Sequence, residues 1–142
     1  MKSYLVGGVI MFALMLGAGR SFAHHSFTAE FDGNKPITLT GIVTKVEWTN
    51  PHVWFYVNVK DDKTGEITNW GAEMGPPHGL QRRGWRRDTL KIGEEVTVIG
   101  SMAKNGSKRM NARTVTLTST GGRPGETLGA ASSEGEGAGQ SQ

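Results

Sequence analysis

The sequence predicts an all-β fold: a small five-stranded Greek-key barrel with one short helix between the third and fourth strands. Three observations carry this prediction. Short segments in which apolar and polar residues alternate dominate positions 37–117, as half-buried strands require. Turn signals rich in Gly, Asn, Asp and Pro separate these segments. The segment that favours a helix, His78–Trp85, is short.

The first predicted strand changes the side on which its apolar residues lie. The two sets of alternate apolar positions are Ile37, Leu39, Gly41 and Val43, followed by Ile42, Val46 and Trp48. A switch of this kind around a glycine is typical of a bulged or strongly bent strand that serves two faces. A strand of that shape suits a barrel.

Turns and loops separate the other four strands, which we predict at 53–59, 67–74, 96–100 and 111–117. The turn at 61–65 makes a hairpin of the second and third strands. Gly75-Pro76-Pro77 ends the sheet before the helix, and Asn105-Gly106 joins the last two strands. This order matches the OB-fold, so we predict an OB-like barrel. A simple β-sandwich is the alternative that the pattern leaves open.

Three parts follow one another along the chain. Residues 1–23 have the features of a cleavable signal peptide: Lys2, an uncharged run over 5–18, and small side chains at Ser21 and Ala23. That run is shorter than the roughly 20 residues that span a bilayer. We therefore expect a mature protein that begins at His24, has no transmembrane segment and is periplasmic or secreted. Residues 24–119 form the barrel with an N-terminal arm, and the Gly/Ser/Glu-rich residues 120–142 predict a disordered tail.

Cleavage also lowers the charge of the protein. The chain has 16 basic and 13 acidic residues, and removal of Lys2 and Arg20 leaves a net charge of +1. Bulk attraction to nucleic acid therefore loses its basis. The chain has no cysteine, which excludes disulfides, thiolate catalysis and thiolate metal ligands.

Several short motifs are similar to those of an uncharacterised family of small exported bacterial proteins, a domain of unknown function. They are His24-His25-Ser26-Phe27, Lys35-Pro36, Leu39-Thr40-Gly41, Trp48-Thr49-Asn50-Pro51-His52, Arg83-Gly84-Trp85 and Leu90-Lys91-Ile92-Gly93. The resemblance covers nearly the whole mature body. It implies a small exported domain and assigns no chemistry.

Histidines at the new N-terminus form the first candidate site. A mature chain beginning at His24 offers its free amine and its ring nitrogen to one metal ion, and His25 and His52 add further imidazoles. Imidazole suits copper, which leads the affinity order of the divalent metals. We therefore consider a copper site at His24, His25 and His52. The alternative is a polar terminus without a ligand, with His52 capping a turn.

An aromatic and arginine surface forms the second candidate site. Trp54 and Tyr56 are predicted to point away from the core, with Trp70 beside them, on the face that OB-folds use for ligands. Arg83, Arg86 and Arg87 would share one face of a helix and bind an anion. The alternatives are packing of the aromatic residues under an N-terminal arm, and arginines that are solvated.

No pattern of residues predicts an enzyme, since Glu73 stands by itself in a strand and Asp61-Asp62 in a turn. The sequence therefore predicts an exported, non-enzymatic binding protein with copper as the possible cofactor. The alternative is a module that binds an anionic glycan, a lipid head group or a partner protein.

Overall fold

The computed structural model describes residues 27–118 and 125–131, which form a six-stranded, mostly antiparallel sheet with two short helices. The elements are α1 (Phe27–Glu30), β1 (Phe31–Glu47), β2 (Trp54–Lys60), β3 (Ile67–Glu73), α2 (Pro77–Arg82), β4 (Glu95–Ala103), β5 (Arg109–Leu117) and β6 (Thr127–Gly129). In this described part, neither helix has the length and apolar character needed to cross a membrane.

The first five strands close into a ring, which confirms the predicted all-β barrel. The sheet order is β3-β2-β1-β4-β5-β6, and β3 also pairs with β5. That last pairing is parallel and runs from Gly71↔Arg109 to Glu73↔Asn111, whereas the other strand pairs are antiparallel. The helix α2 lies between β3 and β4 in the chain, as predicted.

The core fills the inside of this ring. Phe55, Val57, Val96, Val98 and Val115 are fully buried there. Because side chains alternate along a strand, the residues between them face outward. A barrel without disulfides is therefore held by its apolar interior and its closed ladder of backbone hydrogen bonds.

The bulge predicted in the first strand is confirmed, at a different residue. The register of β1 against β2 shifts between Val43 and Lys45, so Thr44 is the extra residue. Val43 and Val46 both pack in the core as a result, but Ile42 is exposed, so its predicted place on a second apolar face is wrong. A Cβ at Gly41 would lie 2.4 Å from the Asn58 carbonyl oxygen, which shows how closely β1 and β2 approach there.

The turn between β2 and β3 forms as its sequence predicts. The Asp61 carboxylate accepts hydrogen bonds from the backbone N–H groups of Lys63 and Thr64, each at 2.8 Å. Gly65 has a φ of +74°, a conformation that glycine adopts without strain. These backbone hydrogen bonds hold the pKa of Asp61 below its ordinary value.

The prediction of a disordered tail from residue 120 is wrong for residues 125–131. Thr127–Gly129 adds a strand beside β5, and Ala130 is fully buried. The indole N–H of Trp85 donates to the Gly129 carbonyl oxygen at 2.9 Å. The composition of this segment does not predict a strand, because few of its residues are apolar. Backbone hydrogen bonds and a tryptophan from another element hold the strand in place.

Residues 1–26, which contain the predicted signal peptide and the predicted ligands His24 and His25, lie outside the described residues, as do 119–124 and 132–142.

Candidate functional site

A row of polar side chains runs across the outside of the barrel. In the strand register, Glu73 lies between Trp54 of β2 and Asn111 of β5, and Asn111 lies opposite Ser101 of β4. We call Glu73, Asn111 and Ser101 the polar row. All three are buried, with Glu73 only 6 % exposed. A carboxylate this deep on an outward face needs both a cover and a partner.

The N-terminal arm lies against this part of the barrel. The ring centroids of Phe27 and Phe31 are 5.9 Å apart, and Phe31 pairs with Ala103 at the end of β4. The Lys104 ammonium donates to the Thr28 carbonyl oxygen at 2.6 Å, and its backbone N–H donates to that of Glu30 at 2.9 Å. The arm is therefore fixed by specific contacts from Phe27 onward.

His52 supplies the partner of the buried carboxylate. It lies in the loop just before β2, where its side chain is 23 % exposed. Its Nδ1 makes a close hydrogen-bonded contact with Oε1 of Glu73. A carboxylate on Nδ1 fixes the orientation of an imidazole ring and leaves Nε2 as the nitrogen that can bind something else.

Burial raises the pKa of Glu73 above its ordinary value. The imidazole of His52 and the guanidinium of Arg109 act in the opposite direction, whereas the carboxylate of Glu30 adds to the rise. Burial of the carboxyl group is the largest of these effects.

Trp54 and Tyr56 project outward from β2 beside the polar row, as predicted. A Cβ built on Gly71 would lie 3.3 Å from the Tyr56 ring and 3.5 Å from the Trp54 ring, so both rings lie over this glycine. We call Trp54 and Tyr56 the aromatic platform. The Arg109 guanidinium lies 5.5 Å from the Trp54 ring centroid, and the Lys45 ammonium 5.4 Å from that of Tyr56. These are cation–π distances.

A small charge network holds the Tyr56 side of the platform. The Tyr56 hydroxyl donates to Glu47 at 3.0 Å, and Lys45 pairs with the same carboxylate at 2.5 Å. Hydrogen bonds from Lys45 and then Tyr56 lower the pKa of Glu47. The platform is therefore a fixed surface, with the Arg109 guanidinium at one end and the Lys45–Glu47 ion pair at the other.

The prediction that Trp70 lies beside Trp54 and Tyr56 is wrong. Trp70 pairs with Val57 in the register of β2 and β3, and paired residues of antiparallel strands share a face. It is consequently a buried member of the core. Its ring still has a cation near it, the Lys108 ammonium at 5.2 Å from the centroid.

The arginines predicted to share a helix face do not share one. The helix α2 ends at Arg82, Arg83 is its C-cap, and Gly84 turns the chain with a φ of +90°. Arg86 and Arg87 follow in the loop. All of these arginines are exposed, and the arginine beside Trp54 is Arg109 instead.

Sequence reasoning missed the roles of Glu73 and Arg109. Both positions depend on which strands are neighbours, since β3 and β5 pair across more than 35 intervening residues. One local signal existed: Glu73 is a charged residue at the end of a strand whose preceding positions read as buried.

One of the predicted copper ligands lies in the described part of the chain and two lie outside it. His52 is described and oriented, whereas His24 and His25 lie outside the described part of the chain. Within residues 27–118 and 125–131, no three His, Cys, Asp or Glu side chains come together as metal ligands.

Comparison with known families gives one match. The model of a family described as "Family of unknown function (DUF6152)" matches residues 13–112, which confirms the resemblance to an uncharacterised family. No curated protein matches the chain.

Proposed function

The chain belongs to this family of unknown function, and we propose from its site that it is an exported protein that binds copper through His24, His25 and His52. The observation that carries the proposal is the contact of His52 Nδ1 with the buried Glu73 carboxylate. Histidines that bind metals commonly donate their second ring nitrogen to a carboxylate in this way.

The cost of burying Glu73 supports a role beyond folding. A carboxylate on a residue only 6 % exposed destabilises the fold unless its partners compensate, and its burial raises its pKa. An apolar side chain at position 73 would pack on the barrel without this cost of burial. The role that we assign to the carboxylate is to orient the imidazole ring of His52.

The proposal requires the N-terminal histidines to reach His52. His24 precedes Phe27 by three residues, which span at most about 10 Å. The helix α1 is fixed to the barrel through Lys104, so the amine and ring of His24 must meet the Nε2 of His52 within that span.

The donor set suits copper(II). An amine and several imidazole nitrogens are borderline ligands, for which copper(II) has the highest affinity among the divalent first-row metals. Zinc and nickel are the competing metals, and competition titrations measure the affinity of the site for each of them relative to copper(II).

The N-terminal amine is tested by a protein that begins at His24 against one with an extra glycine before it. Copper(II) affinity is measured by competition with a chromogenic chelator. We expect the extra residue to weaken binding by at least about tenfold, because it moves the amine out of the chelate. Equal affinities would contradict a ligand role for the amine.

The role of His52 is tested with His52→Ala and Glu73→Gln, and His78→Ala is the matched control because His78 is an exposed histidine on α2. His52→Ala removes one nitrogen from the copper electron paramagnetic resonance spectrum. Glu73→Gln weakens binding by about 10–100-fold without a loss of nitrogen ligands. A spectrum of His52→Ala identical to that of His78→Ala would contradict the proposal.

A second candidate function rests on the aromatic platform. The two rings over Gly71 can stack on a sugar ring, and the Arg109 guanidinium beside Trp54 can pair with its carboxylate. The ligand would be an anionic glycan.

Tryptophan fluorescence titration with uronic-acid oligosaccharides tests this candidate. Trp54→Ala and Arg109→Gln should each abolish the response, and Lys63→Gln, a charge change in the distant hairpin turn, should leave it intact. A response unchanged in Trp54→Ala would exclude the platform.

A further inference from the structure

Positive charge is concentrated at the end of α2 and in the loop that leads toward β4. Residues 82–93, which we call the basic loop, contain Arg82, Arg83, Arg86, Arg87 and Lys91, all exposed. Asp88 lies within the segment, and Glu94 follows it directly, with its carboxylate accepting a hydrogen bond from the Lys91 backbone N–H at 2.9 Å. None of the four arginines has an ion-pair partner in the part of the chain that the structure describes.

The charge of this loop contrasts with that of the remaining mature chain. The basic loop has a net charge of +4, so the rest of a protein beginning at His24 has a net charge of −3. The near-neutral total therefore hides a strong asymmetry. An asymmetry of this kind orients a protein on a charged surface.

The same loop presents an apolar side chain to solvent. Ile92 is 72 % exposed, although its neighbour Leu90 is buried in the core. The base of the turn is fixed, because the Gly93 N–H donates to the Val43 carbonyl oxygen at 2.8 Å and Val43 returns a hydrogen bond to Glu94. Ile92 is therefore held at the tip of a tethered turn, and the core does not account for its outward position.

We propose that the basic loop docks the protein on an anionic phospholipid membrane, with the arginines on lipid phosphates and Ile92 inserted at the head-group boundary. Guanidinium groups match phosphate oxygens in a bidentate geometry. An apolar side chain flanked by cations is the combination that binds the membrane interface. The proposal uses no residue of the copper site and stands or falls separately from it.

The arginine contribution is tested by cosedimentation with vesicles of phosphatidylcholine and phosphatidylglycerol, compared with phosphatidylcholine alone. Each cation near such a surface strengthens binding by about fivefold, so Arg86→Gln/Arg87→Gln should weaken binding by more than about tenfold. The matched control, Lys60→Gln/Lys63→Gln, removes the same charge from the β2–β3 hairpin and should cost much less. Equal losses in the two double variants would overturn the proposal, as would equal binding to both kinds of vesicle.

Insertion of Ile92 is tested by a single labelled cysteine. Because the chain has no cysteine, Ile92→Cys carries the sole thiol for an environment-sensitive dye, and Ile67→Cys, at a site 61 % exposed, is the control. We expect phosphatidylglycerol vesicles to shift the dye emission to the blue at position 92 and to leave it unchanged at position 67. No shift at 92, or the same shift at both positions, would overturn the proposal. Circular dichroism confirms that each variant is folded.

Discussion

Two walls of the same barrel face outward with opposite chemistry. The site wall, on β2, β3 and the start of β5, has a buried carboxylate, a histidine and two aromatic rings, each with one cation near it. The threonine wall, on β1, β4, the rest of β5 and β6, has a register row of Thr40, Thr97, Thr116 and Thr127.

The two walls differ in how their polar groups are satisfied. Thr40 shares a hydrogen bond with Thr97, and Thr116 with Thr127, each at 2.8 Å between hydroxyl oxygens. Such cross-strand pairs stabilise a sheet on their own. Glu73 is buried at a cost and depends on a histidine from a loop. Folding therefore explains the threonine wall, whereas the site wall carries residues that folding does not require.

The largest expected contrast comes from placing the same lysine on each wall. Glu73→Lys puts a cation in a buried position beside His52 and Arg109, and we expect it to lower the free energy of unfolding by about 3–5 kcal/mol. Thr97→Lys lies on the outer face, loses the hydroxyl pair with Thr40 and should lower it by at most about 1 kcal/mol. Urea unfolding measures both, and similar losses would refute the distinction between the walls.

The edge of the threonine wall depends on Trp85. Trp85→Phe removes the N–H that donates to the Gly129 carbonyl oxygen and leaves a gap in the core, so we expect a loss of about 1–3 kcal/mol. Amide hydrogen exchange should show that Thr127–Gly129 loses protection first. Exchange spread evenly over all strands would contradict an anchoring role for this hydrogen bond.

A smaller effect is expected within the threonine row. In a double-mutant cycle of Thr40→Val and Thr97→Val, the coupling free energy should be about 0.2–1 kcal/mol. The pair Thr40→Val and Thr116→Val, which are not register partners, is the control and should be additive. Coupling in the control pair would show that the row acts as a unit.

The smallest effect concerns the hairpin turn of the site wall. The pKa of Asp61 is lowered by backbone N–H donors, so its carboxylate stabilises the fold above its ordinary pKa of 3.8 and loses that effect as the pH falls through the lowered value. Asp61→Asn should therefore be less stable than the natural protein at neutral pH. The difference should disappear in acid, and a difference independent of pH would contradict the assignment.

Local patterns predicted most of the barrel. The alternation at 53–59 and the turn at Asp61–Gly65 depend on neighbouring residues, and the structure has both. The side of Trp70 was wrong because a parity count along one strand does not give the register with the next. Glu73 and Arg109 come together because β3 pairs with β5, and no short segment of the sequence contains residues of both strands. Residues 125–131 were missed because their partners Trp85 and Arg113 lie elsewhere in the chain.

The pairing of β1 with β4 also sets the order in which the chain can fold. Phe31 lies opposite Ala103 and Thr38 opposite Ile99, so the N-terminal half of β1 has no strand partner until about 60 or more further residues have been made. Contacts between residues so distant in sequence slow folding, and the β2–β3 hairpin, whose contacts are local, can form long before them. A chain synthesised from its N-terminus therefore cannot close the barrel until β4 and β5 have been made, since β5 supplies the closing pair with β3.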